Sequence, residues 1–144
     1  MSDDQYITEL PIYKKAQLLY HLVESLGASL PDDDPLIQRS KKSMRSNVMV
    51  LSTKIVGAEL GGLYSLKMQY AALIRDFVIK LISQLDTLTL MHGYPEDEYI
   101  ALIRTEIEAF RELFINWVAG FDKTNYVWDE WELFNPPGAV KEED

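Results

Sequence analysis

The sequence predicts an all-α protein: an antiparallel up-down-up-down four-helix bundle with an irregular acidic-aromatic C-terminal tail. Four stretches repeat apolar residues at three- and four-residue steps, the spacing of amphipathic helices. Short connections marked by glycine or proline separate them, as in a bundle of antiparallel neighbours. No βαβ pattern, glycine-rich phosphate loop or repeat of solenoid length competes with that reading. At 144 residues the chain reads as one domain over 1–144, with the bundle over about 8–120 and the tail over 121–144.

The first helix is expected to begin near Thr8 or Leu10, with Pro11 in the first turn, where a missing N–H is harmless. Ile12, Leu19, Leu22, Val23 and Leu26 form its apolar stripe, and Gly27 stands where a C-terminal cap is expected. His21 has no second histidine and no cysteine at ligand spacing, so it reads as a surface or hydrogen-bonded histidine. The connection Ser29-Leu-Pro-Asp-Asp-Asp-Pro35 lacks the ligand pattern and central glycine of an EF-hand loop. Asp33 or Asp34 is better placed as the N-cap of the helix that follows.

The second helix is expected from about Leu36 to Ala58, with Ile37, Met44, Val48, Leu51 and Ile55 on one narrow stripe. Arg39, Lys42 and Arg45 project to the other side, and Lys41 lies on the flank. Such a row of cations can track phosphates, with binding that weakens steeply in salt. No aromatic residue is interleaved for base stacking, so any nucleic-acid binding would be poor in sequence specificity. A solvated charged face is the other reading of the same residues.

Gly57 and Gly61-Gly62 punctuate the chain before the third helix, Leu63 to Met91, around which the fold is organised. Leu66, Tyr70, Leu73, Phe77, Leu81 and Leu88 give its periodicity. Ile74, Val78, Ile82 and Leu85 widen the apolar arc well beyond the ~100° that a helix roofing one core requires. Those four residues are therefore expected at an oligomer interface. His92-Gly93 ends the helix, where a partly charged histidine suits the negative end of the dipole.

Tyr94-Pro95-Glu96-Asp97-Glu98 opens the fourth helix, with proline and acids in its first turn. Ile100, Ile103, Ile107, Phe110, Phe114 and Trp117 form the stripe, Leu102 and Leu113 broaden it, and Gly120 closes it. Glu108 and Glu112 share a face, but Arg104 and Arg111 lie within salt-bridge spacing. A di-iron bundle needs Glu-x-x-His pairs, and neither His21 nor His92 follows a glutamate at that spacing. No metal or other cofactor is expected, and no catalytic motif is present, so the protein reads as a non-enzyme. In the tail, Tyr126-Val-Trp-Asp-Glu-Trp-Glu-Leu-Phe134 mixes aromatic and acidic residues before Asn135-Pro-Pro-Gly138. Trp128, Trp131 and Phe134 either dock a partner or fold back over the subunit or a neighbour, since exposed they would invite aggregation. Lys141-Glu-Glu-Asp144 is expected to fray.

The net charge of −9 is unevenly spread. Residues 1–35 set seven acids against Lys14 and Lys15, whereas residues 36–75 set seven cations against Glu59 alone. The remainder is again strongly acidic. Segregation of this kind marks either a local anion-binding face or a basic middle neutralised by acidic ends. There is no cysteine, and therefore no disulfide or thiolate chemistry. No apolar run approaches the ~20 residues that span a bilayer, and the acidic N-terminus does not resemble a signal peptide. No membrane partner is expected, and a cytoplasmic bacterial or phage-type protein fits best.

Over roughly Pro11 to Gly120 the chain resembles the bacterial four-helix-bundle family of ribosomal RNA intervening-sequence proteins. It is equally similar to the accessory variability determinant (Avd) proteins of diversity-generating retroelements. Ser43-Met-Arg-Ser-Asn-Val48 resembles a Ser-Ile-Pro-Ser-Asn-Ile stretch of the former. His92-Gly-Tyr-Pro-Glu-Asp-Glu-Tyr99 resembles the Leu-Gly-Tyr-Leu-x-x-Glu-Tyr that opens their last helix. Leu26-Gly-Ala-Ser-Leu-Pro31 resembles the end of the first helix in both groups. Met49-Val50-Leu51 stands where the intervening-sequence group has Ala-Glu-Gly, and this chain is acidic where Avd proteins are strongly basic. The resemblance implies a non-enzymatic homopentamer which, in the Avd branch, binds nucleic acid and a reverse transcriptase through a basic surface. By position, Arg39, Lys41, Lys42 and Arg45 would form that surface. A protein-binding adaptor or purely structural bundle with no nucleic-acid role is the alternative.

Overall fold

The computed structural model describes residues 3–142, which form helices and irregular segments with no strand among them. Four long helices follow the apolar periodicity: α2 (Pro11–Ser29), α3 (Pro35–Gly61), α4 (Tyr64–Asp86) and α5 (Glu98–Ala119). A short helix not foreseen from the sequence, α1 (Asp3–Thr8), precedes them and is anchored by buried Ile7. The most extensive packing is α3 on α4, followed by α2 on α5 and α2 on α3. Contact between α4 and α5 is much slighter, so the helices run α4, α3, α2, α5 around the core with a loose seam between the outer two.

The core is contributed by all four. Leu19 and Leu26 of α2, Met44, Leu51 and Ile55 of α3, Ile74, Leu81 and Leu85 of α4, and Ile100 and Ile103 of α5 are fully buried. Each such side chain contributes about 1.5–3 kcal/mol on removal from water. Ile74, Val78 and Leu85, expected at an oligomer interface, are thus core residues of this chain. Most of the wide arc of α4 is taken up by α3 and by the core that all four long helices share. Ile82 is only half-buried at the edge of the core, and beside it Ile79 is 54% exposed.

Helix boundaries follow local chemistry. Pro11 begins α2, and the Asp34 carboxylate accepts hydrogen bonds from the N–H groups of Leu36 (2.9 Å) and Ile37 to cap α3. Asp97 caps α5 through the N–H of Ile100, so Pro95 lies just outside the helix rather than in its first turn. Beyond Asp86, α4 widens into a π-helical turn, Thr87–Met91, closed by the N–H of His92 donating to the Thr87 carbonyl. Gly93 then takes a φ of 68°, which favours glycine. Arg104 spans this corner by donating to Asp86 of α4 and to Glu96 ahead of α5. Partial burial alone would lower the Arg104 pKa, but the bonds from Glu96 and Asp86 outweigh it and raise it further.

Gly27 and Gly57 do not terminate helices as the sequence implied; both lie inside them, where they allow close approach. The Lys41 aliphatic stem runs past Gly27, and the Tyr70 ring lies where a Cβ on Gly57 would project, 2.8 Å from its nearest carbons. At the far end, Phe121, Tyr64 and Ala71 form a second small core with Trp117 packed on it. No helix among the described residues is long and apolar enough to cross a membrane. Of the segment expected to fray, Glu143 and Asp144 lie outside the described residues.

Candidate nucleic-acid interface

The four cations expected to act together on α3 separate around the helix. Arg45 turns toward α2 and pairs with Glu24 at 2.8 Å. Lys41 turns the same way and is half-buried, with its stem along Gly27. Arg39 and Lys42 remain exposed, with no ion-pair or hydrogen-bond partner among the described residues.

Lys42 gains neighbours that the sequence did not group with it. Together with Ser43, Ser46 and Asn47 of α3 it faces Lys80 and Gln84 of α4 across a shallow polar cleft of about 280 Å³. The floor is fixed by Asn47 Nδ2 donating to Gln84 Oε1 at 2.8 Å. Lys80 is exposed, with its ammonium 5.4 Å from the Phe77 ring centroid. Two ammonium groups, two hydroxyls and no carboxylate line the cleft, a set of donors suited to an oxyanion. Ser43, Ser46 and Lys42 carry a helical spacing that the sequence shows. Lys80 and Gln84 join them only through the register of α4 on α3, which no local pattern reports.

Two other cations of the basic middle, Lys54 and Lys67, serve the fold. Lys67 donates to the Ala58 carbonyl at 2.8 Å near the end of α3 and lies over Phe121, while Lys54 lies over Tyr70. Lys15 of α2 pairs with Glu106 of α5 at 2.7 Å, with both side chains largely covered. Glu108 pairs with Arg111, and Glu112 is exposed. Among the described residues, no group of three or more His, Cys, Asp or Glu side chains could hold a metal ion.

The tail crosses the end of the helices, where the Tyr64 N–H donates to the Asn125 carbonyl and Asn125 Nδ2 donates to the Gly62 carbonyl. It then lies against the first turns of α4, near Leu66 and Gln69. Trp128 and Phe134 are half-buried there, whereas Trp131 is 91% exposed. The three aromatic residues expected to act together are thus divided. The loop is held by Asp129, whose carboxylate accepts from the N–H groups of Trp131, Leu133 and Phe134 at 3.0–3.1 Å. Asn135 closes it with two more bonds to the Asp129 backbone. The backbone donors of Phe134 and Trp131 hold the Asp129 carboxyl below the usual carboxylate range.

Fold and site together define an all-helical protein with a cationic cleft between two of its helices and an aromatic loop at one end. Comparison with protein families, curated proteins and solved structures finds no match to this chain.

Proposed function

We propose that this is a non-enzymatic, self-associating accessory protein of the Avd or intervening-sequence type, built as an up-down-up-down four-helix bundle. It binds the phosphate backbone of RNA or DNA through Arg39, Lys42 and Lys80. The observation that carries this reading is the cleft itself: two lysines on adjacent helices, flanked by serines, with no carboxylate in the lining of a chain whose net charge is −9. Its place on the second long helix agrees with the basic surface implied by the family resemblance, with Lys80 added and Lys41 and Arg45 taken up in intramolecular contacts. A reverse transcriptase as protein partner, assembly as a pentamer and a cytoplasmic location belong to the same reading and rest on the resemblance.

Binding through phosphates requires a strong dependence on salt, with each lost contact lowering the slope of log K against log [salt] by about 0.7–0.9. The double variant Lys42→Gln/Lys80→Gln is expected to reduce retention on single- and double-stranded RNA and DNA at low salt and to flatten that slope by about 1.4–1.8. Retention and slope equal to those of the unaltered protein would remove the interface. A protein-binding adaptor is favoured instead by one observation, the exposure of Trp131.

A further inference from the structure

The loose seam between α4 and α5 leaves an apolar groove of about 360 Å³, floored by Val78, Ile82, Phe110 and Phe114 and walled by Ile79 and Ile115. Both wall residues are 54% exposed. Arg75 and Arg111 stand on its rim. We propose that this groove receives Trp131 from the tail loop of a second copy of the chain. The proposal rests on the self-associating part of the function proposed above and is independent of nucleic-acid binding.

The loop is built to present that side chain. An exposed indole on a flexible segment would lose rotational and backbone freedom on docking, but Asp129 and Asn135 already fix this backbone with five hydrogen bonds. Glu132, next to Trp131, is held at a φ of 52°, a conformation that non-glycine residues adopt only where the surroundings impose it. A rigid aromatic anchor of this kind commonly dominates the energy of a protein interface.

Charge favours the same pairing. The loop carries Glu130 and Glu132, and the groove lining carries two guanidinium groups, Arg75 and Arg111, against one carboxylate, Glu108. Arg75 approaches Asp76 only at 3.8 Å and Arg111 approaches Glu108 at 3.3 Å, all well exposed. Such surface pairs are weak and readily exchanged.

The loop cannot fill the groove of its own chain. It rests on the side of α4 that carries Leu66 and Gln69, whereas Arg75, Ile79 and Ile82 line the groove. At about 100° per residue these two sets lie roughly 140° apart around the helix, and the tail is tied at Asn125 beside the former. The donor must therefore be another molecule. Because donor and acceptor surfaces differ, two copies can exchange loops reciprocally across a two-fold axis, or the contact can repeat head-to-tail into a ring or chain.

The test is the solution mass of the full chain by light scattering at micromolar concentration. The unaltered protein is expected to be oligomeric, and Trp131→Ala and Ile79→Asp each monomeric, with helical content and melting temperature retained by Trp131→Ala. An equimolar mixture of the two variants is expected to form a one-to-one heterodimer, since the first retains the groove and the second retains the loop. A two-fold interface built from other residues would not give this complementation. An oligomer that survives Trp131→Ala overturns the proposal while leaving self-association intact, and a monomeric unaltered protein overturns both. Failure to form the heterodimer overturns the seating of Trp131 in the groove. Retention on nucleic acid at low salt by monomeric Trp131→Ala separates this proposal from the phosphate-binding one.

Discussion

The indole Nε1 of Trp117 donates a 2.7 Å hydrogen bond to Glu59 Oε1, tying α5 to α3 across 58 residues of sequence. Trp117 also stands between Phe114 and Phe121, with ring centroids 6.1 and 4.9 Å away. The bond thus fixes the end of the molecule from which the tail departs. A half-buried indole N–H deprived of its acceptor costs about 1–3 kcal/mol. Glu59→Ala is expected to lower the stability measured by urea unfolding by that amount. Glu59→Gln, which keeps a carbonyl acceptor, should lose less than half as much. Equal losses in the two variants would show that the carboxylate acts through charge and not through the indole.

Gly57 and Tyr70 make a second falsifiable pair. An alanine Cβ at position 57 would lie 2.8 Å from two carbons of the Tyr70 ring, closer than carbon atoms tolerate. Overpacking of this kind costs about 1–3 kcal/mol, whereas exchanging glycine for alanine inside a helix gains about 1 kcal/mol. Gly57→Ala alone is therefore expected to be neutral or destabilising. Introduced into Tyr70→Leu, where the ring has been removed, the same substitution should stabilise by about 0.5–1 kcal/mol. The change of sign in a double-mutant cycle is the measurement. Additive effects would show that the two residues are not in contact.

The same two glycines, 27 and 57, illustrate what was legible in the sequence and what was not. Apolar periodicity located the four long helices, and Pro11 and Asp34 marked the starts of two by chemistry confined to a single turn, whereas the start of α5 was placed too early, at Pro95 instead of after its cap Asp97. Gly27 and Gly57 looked like punctuation because glycine usually is. Their reason for being glycine lies on another helix or in a distant turn: the Lys41 stem in one case, the Tyr70 ring in the other. The wide arc of α4 was correctly seen, but a helical wheel counts apolar residues without revealing which ones the subunit's own core takes: Ile74 and Leu85 are fully buried, whereas Ile82 is only half-buried. What remains uncovered is a narrower strip around Ile79. The cleft was half-legible: Lys42 belonged to a visible row, but its pairing with Lys80 depends on how two helices slide past each other. α1 escaped because a helix of so few residues has too little periodicity to be recognised.

The hydrogen bonds around Asp129 lead to a prediction in pH. Its carboxylate gathers the N–H groups of Trp131, Leu133 and Phe134, and those bonds, Phe134 first, lower its pKa from the ordinary aspartate value. A carboxylate with a lowered folded-state pKa stabilises its loop fully above the unfolded value of about 3.9, and that contribution fades as pH falls through the folded value. The loop should therefore stay intact from neutral pH down to about 4 and loosen only below. The charged neighbours are Glu130, paired with Lys141 at 3.1 Å, and the exposed Glu132. The amide resonances of Trp131, Leu133 and Phe134, followed by heteronuclear NMR, should move together with a midpoint below the usual aspartate value. Asp129→Asn should abolish that titration and broaden the three resonances at neutral pH. A midpoint at or above the ordinary value would mean that the carboxylate does not hold the loop, and that Trp131 owes its exposed position to something else.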